Sequence, residues 1–139
     1  MSDDCLFCKI IKGDIPAVRI YEDDYTIAFL DIQPINKGHT LVIPKHHHEN
    51  IYDLPEDQLK ACACTIKTIS RALKDSLRCD GINIGMNNGR SAGQLVFHAH
   101  FHIIPRFLGD GLQHWPGKNM DSGQMGLLGK EITAAIKKH

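Results

Sequence analysis

Three histidines stand at alternate positions in the apolar run Gln94-Leu95-Val96-Phe97-His98-Ala99-His100-Phe101-His102-Ile103-Ile104-Pro105-Arg106. In a β-strand successive side chains point to opposite faces, so His98, His100 and His102 would share one face. Phe97, Ala99, Phe101 and Ile103 would share the other, an apolar face turned to the core. A helix would pair His98 with His102 and turn His100 away, and the Phe and Ile content with Pro105 behind it favours the strand. Adjacent imidazoles on such a strand sit roughly 7 Å apart at Cα. The middle ring is then flanked on both sides by groups that can hold or relay protons near neutral pH. A wet strand face normally carries Thr, Lys and Glu, so three histidines in register point to chemistry. An imidazole with one nitrogen tied down and the other free is a nucleophile, and an ordinary pKa of about 6.5 leaves most such rings neutral at pH 7.

Two other clusters could do chemistry. The glycine-rich loop Asn87-Asn88-Gly89-Arg90-Ser91-Ala92-Gly93 runs directly into the triad segment and can offer backbone N–H groups to phosphate oxygens without Cβ obstruction. Asn-Gly and Ser-Ala-Gly are also plain turn chemistry. Cys5 and Cys8 form a Cys-x-x-Cys pair on a first helical turn, half of a tetrahedral zinc site. The alternative is a pair of small apolar residues packing that helix; a redox pair is disfavoured, because no βαβ unit precedes it. Cys62, Cys64 and Cys79 have no ligand spacing.

The elements that must position these groups follow from periodicity and breakers. Leu6 to Lys12 is a short helix stopped by Gly13 and Pro16. Val18 to Tyr21 and Tyr25 to Asp31 form a hairpin across Glu22-Asp23-Asp24, and Thr40 to Ile43 a third strand. Pro55, Glu56 and Asp57 open the longest helix. Its stripe of Leu59, Cys62, Ile66, Ile69, Leu73 and Leu77 serves a core or a subunit interface. Asp80-Gly81 turns into a fourth strand, Ile82 to Met86; the triad segment is the fifth, and a weakly marked helix runs from about Leu127 to Lys137. The sum is an α+β domain with a mostly antiparallel five-stranded sheet, a long helix and short flanking helices.

The chain of 139 residues suits one domain, 1–139. Sixteen basic residues balance sixteen acidic ones without blocks of like charge, which argues against nucleic acid or anionic membrane as partner. The acidic start lacks the apolar core of a signal peptide, and no apolar run approaches the ~20 residues of a bilayer span. Five cysteines, an odd number, suit reduced thiols and a cytoplasmic location.

His-x-His-x-His followed by two aliphatic residues is the signature of the histidine-triad (HIT) nucleotide hydrolases and transferases, and the chain resembles that family from Cys5-Leu6-Phe7-Cys8-Lys9-Ile10-Ile11 to about Trp115. Ala28-Phe29-Leu30-Asp31-Ile32, Lys37-Gly38-His39-Thr40-Leu41-Val42-Ile43-Pro44-Lys45, and Asn87 with Gly93-Gln94 carry the resemblance between those ends. It implies a HIT-like fold and a two-fold homodimer whose sheets join into one. It implies that His100 attacks the α-phosphate of a purine nucleotide, forming a covalent nucleotidyl-histidine that water then hydrolyses. His102 would hydrogen-bond the phosphate or protonate the leaving group, with His98 and His39 orienting His100. Asp31 would accept hydrogen bonds from ribose hydroxyls; a strand-end Asp standing alone is usually a turn residue. Leu6, Phe7, Ile10, Phe29 and Ile32 would form the base slot, their alternative being core packing. Asn87, Gly93 and Gln94 would join His100 and His102 around the phosphate.

The resemblance also implies a structural zinc on Cys5, Cys8, His98 and a histidine just after the Ile-Pro-Lys block, His47; His46 and His48 flank it, and strand alternation does not separate the three beyond Pro44. Two positions depart from the phosphoramidase-type members. Leu95 stands where many carry a hydroxyl residue, and Pro105-Arg106 where many carry Gly-Gly, as in the broader set that includes dinucleoside polyphosphate hydrolases. The expected activity is hydrolysis of a nucleoside phosphoramidate at its P–N bond, with dinucleoside polyphosphate cleavage as the alternative. Two rivals come from other classes: a metal-dependent hydrolase ligated by His98, His100 and His102, and a non-catalytic purine-nucleotide-binding regulator.

Overall fold

The computed structural model of the chain describes residues 3–139. Helix α1 (Leu6–Lys12) begins at Cys5, whose Sγ accepts the Cys8 N–H. It ends at Gly13, whose left-handed φ of 88° lets its N–H close back on the Ile10 carbonyl. Strands β1 (Arg19–Glu22), β2 (Thr26–Leu30) and β3 (Thr40–Pro44) follow, then the long helix α2 (Glu56–Leu77), β4 (Gly81–Gly85) and β5 (Phe101–Arg106). The five strands form one antiparallel sheet in the order β1-β2-β3-β5-β4. A final helix, α3 (Ser122–Ile136), completes the α+β architecture.

Alternation along β2 and β3 divides the core into two layers. Ala28 and Val42 face α2 and pack with Ile103 against Cys62, Ile66, Ile69 and Leu73. Ile27, Phe29, Leu41 and Ile43 face the other way and pack with Phe7 and Ile10 of α1. The apolar stripe of α2 therefore packs on the chain's own sheet, the first of its two expected uses. A buried Thr26–Thr65 hydroxyl pair at 2.7 Å satisfies the two polar groups between sheet and helix. Each fully buried Ile of these layers contributes about 1.5–3 kcal/mol through removal of apolar surface from water. Because His102 lies opposite Leu41 in the ladder, its side chain falls on the α1 side, while Ile103 turns to α2.

Two element boundaries differ from expectation. The expected fifth strand is regular only from Phe101; residues 94–100 are irregular. The β3–β5 ladder pairs Thr40 with Ile103 and Val42 with Phe101, so the next partners would be Ile43 and Pro44. Pro44 has no N–H to give, and the chain peels off the ladder there. Helix α3 begins at Ser122, ahead of the expected Leu127, because the Asp121 carboxylate caps it by accepting the Gln124 N–H at 3.2 Å. Its residues are all exposed. No described helix is long and apolar enough to cross a membrane.

Candidate active site and metal centre

The chain's departure from the ladder gives each triad histidine a different task. His100 is 6 % exposed, and its Nδ1 lies 2.7 Å from the His98 carbonyl. A carbonyl can only accept, so the proton sits on Nδ1 and Nε2 carries the lone pair. Nε2 takes no hydrogen bond from the described residues. Phe7 meets the ring edge-on at 5.1 Å, and the His102 ring lies 5.1 Å away on another side. Burial holds the His100 pKa below its ordinary 6.5, so the ring is neutral at pH 7.

His102 is fixed through His39. The Ile35 N–H donates to His39 Nδ1 at 3.0 Å, which places the His39 proton on Nε2. That Nε2–H donates to His102 Nδ1 at 2.9 Å, which leaves the His102 proton on Nε2. The chain of backbone N–H, His39 and His102 thus presents a hydrogen-bond donor beside the His100 ring, whose Nε2 carries a lone pair. Burial lowers the His39 pKa against the opposing pull of the Asp31 carboxylate, and lowers that of His102 to about 4. Asp31 Oδ1 accepts the Gln33 N–H in a turn, while Oδ2 lies 3.7 Å from His39 Nε2. The turn role and a place beside the triad coexist in Asp31.

His98 leaves the triad face. Its ring packs on His47 at 5.0 Å and Phe7 at 6.0 Å, so the expected ring neighbour on each side of His100 is corrected to His102 and Phe7. Its Nε2 donates to the Pro44 carbonyl at 2.8 Å, which frees Nδ1 as a lone pair, and burial brings its pKa down to about 4. That Nδ1 faces Cys5 Sγ at 3.5 Å and Cys8 Sγ at 3.6 Å, and His47 Nδ1 faces Cys8 Sγ at 3.4 Å. A tetrahedral zinc with Zn–S of about 2.3 Å and Zn–N of about 2.05 Å separates S from N by roughly 3.6 Å. The four ligand atoms lie within 4.8 Å of one another, and the donor set fits zinc. His47, not His46 or His48, is the third residue of the cluster.

The three triad rings do not converge on one ion, which removes the geometry of the His98–His100–His102 metal hydrolase. Asp31, His39 and His102 also gather within 4.8 Å. Their donor chemistry does not suit a metal, since His39 Nδ1 already accepts the Ile35 N–H and metal on Nε2 would require an imidazolate.

Of the candidate nucleotide contacts, Phe7, Ile10 and Phe29 are buried in the core layer beneath His100, while Ile32 is 88 % exposed at the end of β2. Leu6 lines a surface recess with Cys5, His47 and Leu95, beside the metal cluster. Asn87 and His102 line a cleft of about 500 Å³ together with Ile35, Ile84, Arg106 and Trp115. Gly93 has φ of 92°, which only glycine adopts without strain. The loop's own N–H groups on Gly89, Ala92, Gly93 and Gln94 are spent on internal partners. The Gln94 side chain is likewise fully engaged within the protein, which corrects its expected direct contact with phosphate.

The HIT domain pattern matches residues 12–109. The chain belongs to the HIT family. It is 42 % identical over 135 residues to the adenosine 5'-monophosphoramidase HNT1 of Saccharomyces cerevisiae, covering 96 % of this chain and 83 % of that protein. The crystal structure of SMU.412c from Streptococcus mutans UA159 matches with a TM-score of 0.93 and 44 % identity, over 98 % of this chain and 87 % of that one. A zinc-bound histidine triad family protein from Mycobacterium smegmatis matches with a TM-score of 0.77 and 40 % identity, over 97 % and 96 %. Within this HIT domain the residues that sequence reasoning missed are connectors, Ile35 and Pro44, which set histidine tautomers through the backbone. No periodic pattern signals them.

Proposed function

We propose that this HIT protein hydrolyses purine nucleoside phosphoramidates at the P–N bond, through a nucleotidyl intermediate on His100. The observation that carries the reading is the pairing of opposite tautomers: His100 offers a lone pair on Nε2, and His102 offers a proton on Nε2. Attack by His100 Nε2 on the α-phosphorus forms the P–N bond to the protein as the bond to the leaving nitrogen breaks. His102 Nε2–H is available to hydrogen-bond a phosphate oxygen or the leaving nitrogen, which takes its proton from solvent water as it departs. Water then cleaves the imidazole–phosphorus bond and releases the nucleoside monophosphate. Asp31 is the ribose partner, and Phe7, Phe29 and Ile32 lie towards the base.

The cleft beyond His102 favours an amine over a polyphosphate as leaving group. Among the described residues Arg106 is the only lysine or arginine lining it, and its guanidinium is spent on Asp110, Asn83 and the Leu112 carbonyl. The walls otherwise combine apolar Ile35, Ile84, Ile104, Leu112 and Trp115 with the polar Asn87, Gln113 and His114. A second nucleotide's phosphates would meet no free cation there. The activity named for the Saccharomyces cerevisiae relative, an adenosine 5'-monophosphoramidase, supports the same choice. Cys5, Cys8, His47 and His98 would hold a structural zinc, which stabilises the start of α1 and takes no part in the displacement. The protein acts as a homodimer in the cytoplasm. Turnover of an adenosine phosphoramidate beside diadenosine tri- and tetraphosphate tests the assignment: kcat/KM should favour the phosphoramidate. A preference for the dinucleotides would move the chain to the other branch, and AMP binding without any turnover would make it a regulator.

A further inference from the structure

The Gln94 side chain is 1 % exposed and joins three separate pieces of backbone. Its Oε1 accepts the Gly89 N–H at 2.8 Å. Its Nε2 donates one hydrogen to the Glu49 carbonyl at 2.6 Å and the other to the Val96 carbonyl at 3.1 Å. Its backbone N–H returns to the Gly89 carbonyl at 3.0 Å. Both side-chain donors are thus used inside the protein, and a ligand contact would leave a buried carbonyl unpaired. Asn88 adds a parallel tie, its Oδ1 accepting the Ile51 N–H at 2.8 Å. The segment on the far side of both ties, His46 to Asp53, carries the metal-cluster residue His47. After the loop, the N–H groups of Leu95 and Val96 have no partner among the described residues.

We infer that Gln94 is a positioning residue for the reaction: it clamps the glycine-rich loop to the His47 segment and so sets the Leu95–Val96 peptide donors for the transferred phosphoryl group. The inference rests on the phosphoryl-transfer reading above. It makes Leu95 intelligible, because a backbone N–H placed by Gln94 can serve the phosphate where the side chain offers no hydroxyl. Charge builds on the phosphate oxygens during displacement, and removing one preorganised donor typically costs on the order of 10²–10³ in rate.

The test compares wild type, Gln94→Ala and Gln94→Glu in turnover of an adenosine phosphoramidate and in affinity for adenosine and AMP. Gln94→Ala should lower kcat by about 10–100-fold, since the donors are loosened and not deleted. AMP affinity should fall towards that of adenosine, while adenosine affinity stays within about twofold. Gln94→Glu keeps size and one acceptor, but its ionised carboxylate would face the Glu49 and Val96 carbonyls. Only the protonated acid can donate there, so its kcat relative to wild type should rise as pH is lowered. This isosteric variant keeps the experiment decisive should the alanine variant not fold. Equal weakening of adenosine and AMP, or wild-type kcat with an unchanged AMP-to-adenosine ratio, would overturn the positioning role. Wild-type protein that neither prefers AMP to adenosine nor turns over phosphoramidate would overturn the underlying reading, and the inference with it.

Discussion

The His98 carbonyl accepts the His100 Nδ1–H at 2.7 Å, so the residue that lends its ring to the candidate metal cluster lends its backbone to the His100 ring. His98 itself is held by its ring's bond to the Pro44 carbonyl. One short irregular stretch therefore carries both a member of the candidate metal cluster and the tautomer that makes His100 Nε2 a lone pair. A regular strand could not have done this. Its ladder would have kept the three rings on one face and left the Cys5–Cys8 pair without its nearest nitrogen.

Burial keeps the site histidines neutral, which fixes a pH dependence. His39 and His100 are held below the ordinary 6.5, and His102 is brought to about 4. Turnover should therefore persist below pH 6.5 and fall only in more acidic solution, as His100 loses its lone pair. A kcat/KM profile with an acid limb centred at or above pH 6.5 would contradict this. Stability follows the same shifts. Between pH 6.5 and about 4 the unfolded chain takes up protons at His98 and His102 that the folded chain refuses. The folded state loses stability as pH falls through that window and keeps it above pH 6.5, and denaturant midpoints measured from pH 8 to 4 should show the decline.

Much of this arrangement was legible in the residues. The strand order of types, the alternating histidines, the glycine-rich loop and the Cys-x-x-Cys pair all depend on local spacing, and the sheet and helices stand close to where that spacing puts them. What local spacing could not carry is the end of the β3–β5 ladder at Pro44, a residue 54 positions before His98 in the chain. Without that, His98 reads as a third triad ring. The same holds for Gln94, whose partner Glu49 lies 45 positions away, and for the His39–His102 bond, which spans 63. The register of His47 against His46 and His48 needed the position of Cys8, since no strand continues past Pro44.

Zinc analysis of protein purified without chelators should find about one ion per chain. Cys5→Ala should lower Tm by more than about 5 °C, because it removes a ligand and the cap of α1 together. It should leave turnover within about tenfold of wild type, the loss arising from a looser His98 carbonyl behind His100. Protein free of zinc with an unchanged Tm on Cys5→Ala would return these residues to simple packing.

Strand β4 forms an edge of the sheet, with Ile84 55 % exposed on it. An unpaired edge with an exposed apolar side chain is the natural place for a second copy to continue the sheet. Light scattering at micromolar concentration should give twice the 15.5 kDa of one chain. Ile84→Lys should shift that value towards the monomer while the far-ultraviolet circular dichroism stays unchanged. A wild-type monomer would remove the dimer from the account.

The most direct test of His100 as nucleophile is rapid quench with a nucleoside phosphoramidate labelled at its α-phosphorus. The wild-type chain should carry label within the first turnover, the label should be released by acid and stable to base as a phosphorus–imidazole bond requires, and peptide mapping should locate it on His100. His100→Ala should trap none and lose turnover by about 10³-fold or more, while keeping AMP affinity through Asp31 and the base slot. Label absent from a wild-type chain that turns over normally, or wild-type turnover by His100→Ala, would contradict covalent catalysis by this residue.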